Sequence, residues 1–304
     1  MTDVLSLDAG DARVVLAPAI GGAIAQFTFR GTDVLRPVSV ESRAAGTARG
    51  HSCYPLVPYS NRIAKAHLVF AEHAYDLARN FGDHPHSIHG IGWQRPWRVV
   101  ASDHASALLV LEHTAAGADA AAWPWSFRAT QSFALAADDK GSTLMARITL
   151  ANTGNASFPF GLGFHPFFPR TATTALGFRA DAVWETDGTL LPTKLVPVPD
   201  AWRFDPPRAL GDVALDNVFT GWDGVATLRD PVQRLTVTIA ADRAARFLVV
   251  YVPPGRDFLA VEPVTHMTEA FNRAERGEKG TGTRVLDAGT AFSCTMRISV
   301  HALS

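Results

Sequence analysis

Cysteine is scarce in this chain. Cys53 and Cys294 are the two thiols among 304 residues, far apart and in no CxxC or small-scaffold spacing. A chain of this length needs no covalent staple, so both read as free thiols. An excess of charge of one sign is also lacking: the formal net charge is -1 and charged residues make up 19% of the chain, without a basic stripe. Nucleic acid and anionic membrane are thereby disfavoured as partners. The start, MTDVLSLDAGDARVVLAP, has no basic segment followed by an apolar one, and no apolar run approaches bilayer length. A cytoplasmic protein, monomer or homodimer, is the simplest expectation.

Helical periodicity is sparse as well. It is confined to Thr265–Arg273 (THMTEAFNR), where Thr265 is expected to cap a short helix and Glu269 to sit near its first turn. What the chain does have is alternation. In Gly22–Phe29, Ser126–Leu135, Thr143–Leu150 and Phe292–Val300 every second residue is apolar or small. That period of two puts one face of each strand on a core. Shorter runs rich in Val, Leu, Ile, Thr or Phe (Ala12–Leu16, His67–Phe70, Ala107–Leu111, Leu235–Ala240, Phe247–Val252) are separated by Gly, Pro, Asn and Asp, and Val69–Tyr75 reads as a hairpin. With 47% apolar residues and no βαβ rhythm, the expected fold class is all-β: a large antiparallel sandwich or barrel in one domain. Residues 180–220, dense in proline, look like an irregular excursion that supplies a binding-site wall.

Four stretches carry candidate chemistry. PFGLGFHPFFPR sets His165 among Phe, Gly and Pro, either as a satisfied core histidine or as an acid or base held in apolar walls. Pro166 rules out the helix that a dinucleotide fingerprint would need after GLGF. FLAVEPVTH ends an apolar strand on Glu262, which needs either a partner such as an arginine or a raised pKa. In YPLVPYSNRI, Asn61 and Arg62 follow a Pro-bounded apolar run, and a guanidinium fork suits sugar hydroxyls as well as a structural ion pair. Finally, His84 and His86 at i and i+2 point the same way on an extended strand, as a cupin-like metal site requires, but no carboxylate follows before Asp103. No metal is expected. GxxxxGK[ST], GxSxG and HExxH are absent.

Taken in order, five short motifs of the chain resemble those of the aldose 1-epimerase (galactose mutarotase) family. They are Pro55–Ile63, Ile88-His89-Gly90 with Trp93 and Trp97, Gly163–Phe168, Leu215–Phe219 with Asp216, and Val261-Glu262-Pro263. The resemblance covers nearly the whole chain, residues 1–304 forming a single domain. It implies a mutarotase-like antiparallel supersandwich with few short helices, a free aldose as substrate, interconversion of its α and β anomers, and no cofactor. It places the general acid on His165 and the general base on Glu262. Arg62, His89 and Asp216 become sugar-orienting residues, with Asn61 beside them and Trp93 as an apolar sugar-facing surface. Where many members have His-Pro-Tyr-Phe this chain has His-Pro-Phe-Phe, and residues 180–207 match no part of the pattern.

Two rivals remain. A hexose 6-phosphate epimerase would need extra cations, for which Arg79, Arg95 and Arg98 are candidates by position. A carbohydrate-binding sandwich without activity would have no use for both Glu262 and His165.

Overall fold

A computed structural model describes residues 4–303. Strands dominate, all pairing antiparallel, and among the described residues there are three short α-helices, Val40–Ala45, Ala118–Ala122 and Ala270–Glu275. Two large sheets form the sandwich. One has nine strands in the spatial order Arg98–Ser102, Ser106–His113, Phe127–Ala137, Gly141–Asn152, Ala291–Ala302, Leu235–Ala241, Val225–Asp230, Ala175–Phe178, Phe204–Ala209. The other has eight, running Pro192–Pro197, Ala182–Thr186, Leu215–Thr220, Phe247–Val252, Phe258–Val264, Gly163–Phe164 and Pro55–Leu56, with Phe167–Pro169 added to Phe258–Val264. A four-stranded sheet from Leu5–Ala9 to Thr32–Asp33 packs beside them.

The alternating segments bury one face, as their period demands. In Phe127–Ala137 the buried positions are Phe127, Ala129, Gln131, Phe133 and Leu135, and in Gly141–Asn152 they include Leu144, Ala146, Ile148 and Leu150. The one amide in that row is not left unpaired, since Gln131 Nε2 donates to the Gly22 carbonyl at 3.1 Å. Gly22 is required there: its φ is +60° and a Cβ would lie 2.3 Å from Gln131 Nε2. Phe247–Val252 and Phe258–Val264, in contrast, are buried along nearly their whole length. A strand covered on both faces reads as a continuous apolar run, which is why these two show no alternation. The Val69–Tyr75 hairpin forms as expected, with Ala71 and Glu72 both at positive φ in its two-residue turn.

Two expectations are corrected. The helix near residue 270 runs Ala270–Glu275 and Thr265 does not cap it. Thr265 Oγ1 instead accepts from the Leu162 N–H at 2.9 Å, and Glu269, at φ +59°, spends its carboxylate on the Ala64 N–H and the Asn272 amide. Tertiary partners have claimed the capping groups. Residues 180–220 are not an irregular excursion but mostly strand. Their prolines fit because Pro192 and Pro197 lie on the edge strand of the eight-stranded sheet, and Pro206 and Pro207 on that of the nine-stranded sheet, where a missing N–H breaks no ladder.

Candidate active site

Register along the eight-stranded sheet sets one wall of the site. Asp216 lies opposite Tyr251, and Val249 opposite Glu262. Directly opposed residues share a face, so Asp216, Val249, Tyr251, Phe258 and Glu262 project to the same side of three adjacent strands. All five line a cavity of about 460 Å³. Leu248 and Val250 point the other way into the core.

A second wall comes from two short strands, Arg62–Ile63 and Ser87–Ile88, which pair with each other. Asn61 and His89 flank them, both at positive φ. The His89 N–H donates to the Asn61 carbonyl at 2.8 Å, and the Asn61 N–H donates to His89 Nδ1 at 3.0 Å. Gly90 permits the sharp turn that follows, since a Cβ there would lie 2.3 Å from the Val57 oxygen. Burial, and then the charges of His165 and Arg62, hold the His89 imidazole well below its usual pKa. It is therefore neutral, and because Nδ1 accepts, its proton sits on Nε2. Arg62 is held at both ends of its fork, Nη1 donating to Asn61 Oδ1 at 2.9 Å and Nη2 to Asp216 Oδ2 at 3.1 Å.

His165 sits in the break between Gly163–Phe164 and Phe167–Pro169, both of which pair with Phe258–Val264. Its N–H bonds to the Tyr54 carbonyl at 3.0 Å, and Pro166 has no N–H to continue the ladder. The imidazole stacks on Phe167 at 4.4 Å between centroids and lies 4.7 Å from Tyr54. Its Nε2 meets Glu262 Oε1 at 3.2 Å, with side-chain exposures of 8% and 2%. Burial, reinforced by Arg36, pushes His165 down to about 3. Burial, reinforced by Asp216 and opposed by Arg62, raises Glu262 well above the usual carboxylate range. Together the two groups share a single proton and carry no net charge. Glu262 Oε2 and His165 Nδ1 are buried without a hydrogen-bond partner, an expensive arrangement in a low-dielectric site unless a ligand supplies one.

Of the residues singled out from sequence, His165, Glu262, Arg62, His89, Asp216 and Asn61 converge on this one cavity. Trp93 does not reach it. It is 4% exposed and packs behind Tyr54 and Phe81, donating its indole N–H to the Gly90 carbonyl, so it supports the wall and does not form it. His266 is a buried latch: Nε2 accepts from the Ser60 N–H at 3.0 Å while Nδ1 bonds the Met267 carbonyl. Arg79, Arg95 and Arg98 all lie outside the cavity, and Arg95 is paired with Asp119. His84 lines the cavity with its ring 5.1 Å from that of His86, whose Nδ1 is occupied by the Lys65 N–H. Among the described residues no group of three or more His, Cys, Asp or Glu side chains comes together as a metal would require.

Several wall residues went unnoticed in the sequence. Tyr251 and Phe258 could have been found from strand register, Tyr251 one position before the end of its apolar run and Phe258 at the start of the next. Arg36, Arg49 and Leu190 come from segments with no period to read.

Comparison with known proteins shows the family and the fold. Chain residues 3–299 match the family model for aldose 1-epimerase. The uncharacterised Escherichia coli protein YphB is 29% identical over 266 residues, covering 85% of this chain and 87% of its own. A crystal structure from E. coli K12, provisionally described as an aldose 1-epimerase, superposes with a TM-score of 0.87 at 27% identity over 99% of both chains. The galactose 1-epimerase of Lactobacillus acidophilus NCFM shares the fold, with a TM-score of 0.77 at 17% identity over 99% of this chain and 95% of its own. The chain belongs to the aldose 1-epimerase family.

Proposed function

We propose that this protein interconverts the α and β anomers of an aldose by opening and re-closing its pyranose ring. The observation that carries this reading is the 3.2 Å contact between His165 Nε2 and Glu262 Oε1 at a buried cavity wall, with Arg62, His89 and Asp216 around it. Opening a cyclic hemiacetal requires removal of the C1 hydroxyl proton and delivery of a proton to the ring oxygen as the C1–O bond breaks. With Glu262 as carboxylate and His165 as imidazolium, both transfers occur across one small ring. They leave Glu262 protonated, His165 neutral and the sugar as an open-chain aldehyde.

Burial favours the same neutral pair at rest, so the reactive ion pair forms by passage of the shared proton from Glu262 to His165 across their 3.2 Å contact. Rotation about C1–C2 then presents the other face of the aldehyde. Re-closure returns each proton to its source and restores the ion pair. His89 Nε2–H and the Arg62 guanidinium donate to the oxygens on which negative charge builds, while Asp216 accepts from a distal hydroxyl.

The test is anomer exchange, followed by NMR or polarimetry on freshly dissolved aldoses, for the parent and for Glu262→Gln. Faster equilibration with the parent, lost in the variant while sugar binding persists, supports the assignment. If no aldose equilibrates faster than in buffer, a sugar-binding role replaces it.

A further inference from the structure

Three arginines line the cavity and only one is neutralised in place. Arg62 is paired with Asp216. Arg36 and Arg49 form no ion pair among the described residues. Glu262 and His165 share one proton, so Asp216 is the other carboxylate lining the cavity beside three guanidinium groups, while Asp257 acts on Arg36 from outside the lining. A positive cavity in a chain of net charge -1 is a local arrangement that the overall composition does not require.

Both of these guanidinium groups sit against aromatic rings of the wall. The central carbon of Arg36 is 4.0 Å from the Phe167 centroid and 4.4 Å from that of Phe258, and that of Arg49 is 3.9 Å from Phe81. Contact with aromatic carbon supplies no oxygen acceptor to a guanidinium's N–H donors. The Arg36 backbone is itself anchored, its N–H to the Phe167 carbonyl at 2.8 Å and its carbonyl to Ser52 Oγ at 2.7 Å. Of its five side-chain donors one is engaged, Nη2 with the His51 carbonyl.

The position relative to the acid–base pair matters. Phe167 lies against both the His165 ring and Arg36, so Arg36 is one aromatic ring away from the proposed donor to the ring oxygen. The ring oxygen is bonded to C5, whose exocyclic substituent therefore lies on the same side. Arg49 stands beside Phe81, and both it and Arg36 are near enough to Tyr54 for their charges to act on it.

Building on the proposed mutarotation, we infer that Arg36 and Arg49 select an aldose bearing an oxyanion on its C5 or C6 end, a carboxylate or a phosphate. The hydroxyls of a neutral hexose accept from these donors without offsetting their charge; a charged oxygen group meets them with charge-assisted hydrogen bonds. Arg36 and Arg49 are thus specificity-determining residues.

The experiment compares kcat/KM for anomer exchange of a neutral hexose, the same hexose phosphorylated at C6, and its C6 uronic acid. The expected result is a preference of about tenfold or more for at least one acidic sugar, reduced about tenfold by Arg36→Gln or Arg49→Gln and partly regained with Lys. Preference for the phosphate alone or the carboxylate alone identifies which oxyanion is meant. Equal or better turnover of the neutral hexose, or a preference that neither variant changes, overturns the inference and leaves mutarotation standing. Titration of the Glu262→Gln protein with the same three sugars separates the two readings. Arg-dependent tighter binding of an acidic sugar, with no exchange catalysed by the parent, would keep the anion site and discard mutarotation. Because Arg49 is exposed, its substitution tests the inference even if Arg36→Gln fails to fold.

Discussion

Asn61 and His89 hold each other through two hydrogen bonds, one between backbones and one from the Asn61 N–H to the imidazole Nδ1. The second bond decides the tautomer and so aims a donor, Nε2–H, at the cavity. The Asn61 side chain at the same time steers Arg62. One residue at φ +59° thus positions both proposed stabilisers of developing charge.

Asn61→Gly keeps access to that backbone conformation and deletes the amide; Asn61→Ala adds strain of about 1–2 kcal/mol. Both variants are expected to raise KM and lower kcat/KM by about tenfold, and only Asn61→Ala to lose stability on this scale. Anomer-exchange kinetics and denaturant titration read the two effects separately.

Removing either member of the acid–base pair should reduce kcat by about 10²–10⁴. Glu262→Gln has an additional signature. A carboxylate whose pKa is raised on folding binds its proton more tightly in the folded state, so its contribution falls as pH rises from the unfolded value of 4.5. Gln removes that penalty. The variant is therefore expected to gain stability relative to the parent as pH increases, measured as the urea midpoint between pH 5 and 9.

The shared proton also shapes the rate profile. His165 accepts a second proton only near pH 3, and Glu262 keeps the pair's proton well above the usual carboxylate range. A plateau in kcat/KM should extend down toward pH 4, falling on the acid side as the pair gains a proton and on the alkaline side as it loses one. An acid limb centred near 6.5 would show His165 titrating as a free imidazole.

His89, His165 and His266 are all buried and held below their ordinary value, His266 at about 4. For a depressed histidine the unfolded chain binds more protons between the folded pKa and 6.5. Stability therefore rises with pH through that window and is lost on acidification. His266→Leu should weaken this slope and cost about 1–3 kcal/mol at pH 7, because the Ser60 N–H loses its acceptor. Urea titrations at pH 4.5 and 7 test both statements.

Much of this site was legible before the structure because the five ordered motifs of the family resemblance carry Arg62, His89, His165, Asp216 and Glu262, and because a glutamate at the end of an apolar strand needs a partner or a raised pKa. Trp93 was misassigned for a physical reason: an indole flanking a motif can face either the sugar or the layer behind it, and here its N–H is claimed by backbone carbonyls. Arg36 and Arg49 gave no signal, since isolated arginines in loops are ordinary and only the fold brings them to Phe167 and Phe81. The helix near residue 270 was mis-bounded because local capping rules ignore partners such as Leu162 and Ala64.

The edge prolines have a consequence for how copies of the chain can meet. Pro206 and Pro207 occupy one edge of the nine-stranded sheet, and the opposite edge, Arg98–Ser102, carries a register shift between Val99 and Ala101. Neither margin offers the regular ladder of donors and acceptors on which a further strand could grow. Strand addition is disfavoured at both ends of that sheet, a border that makes edge-to-edge growth costly for a protein this rich in strands.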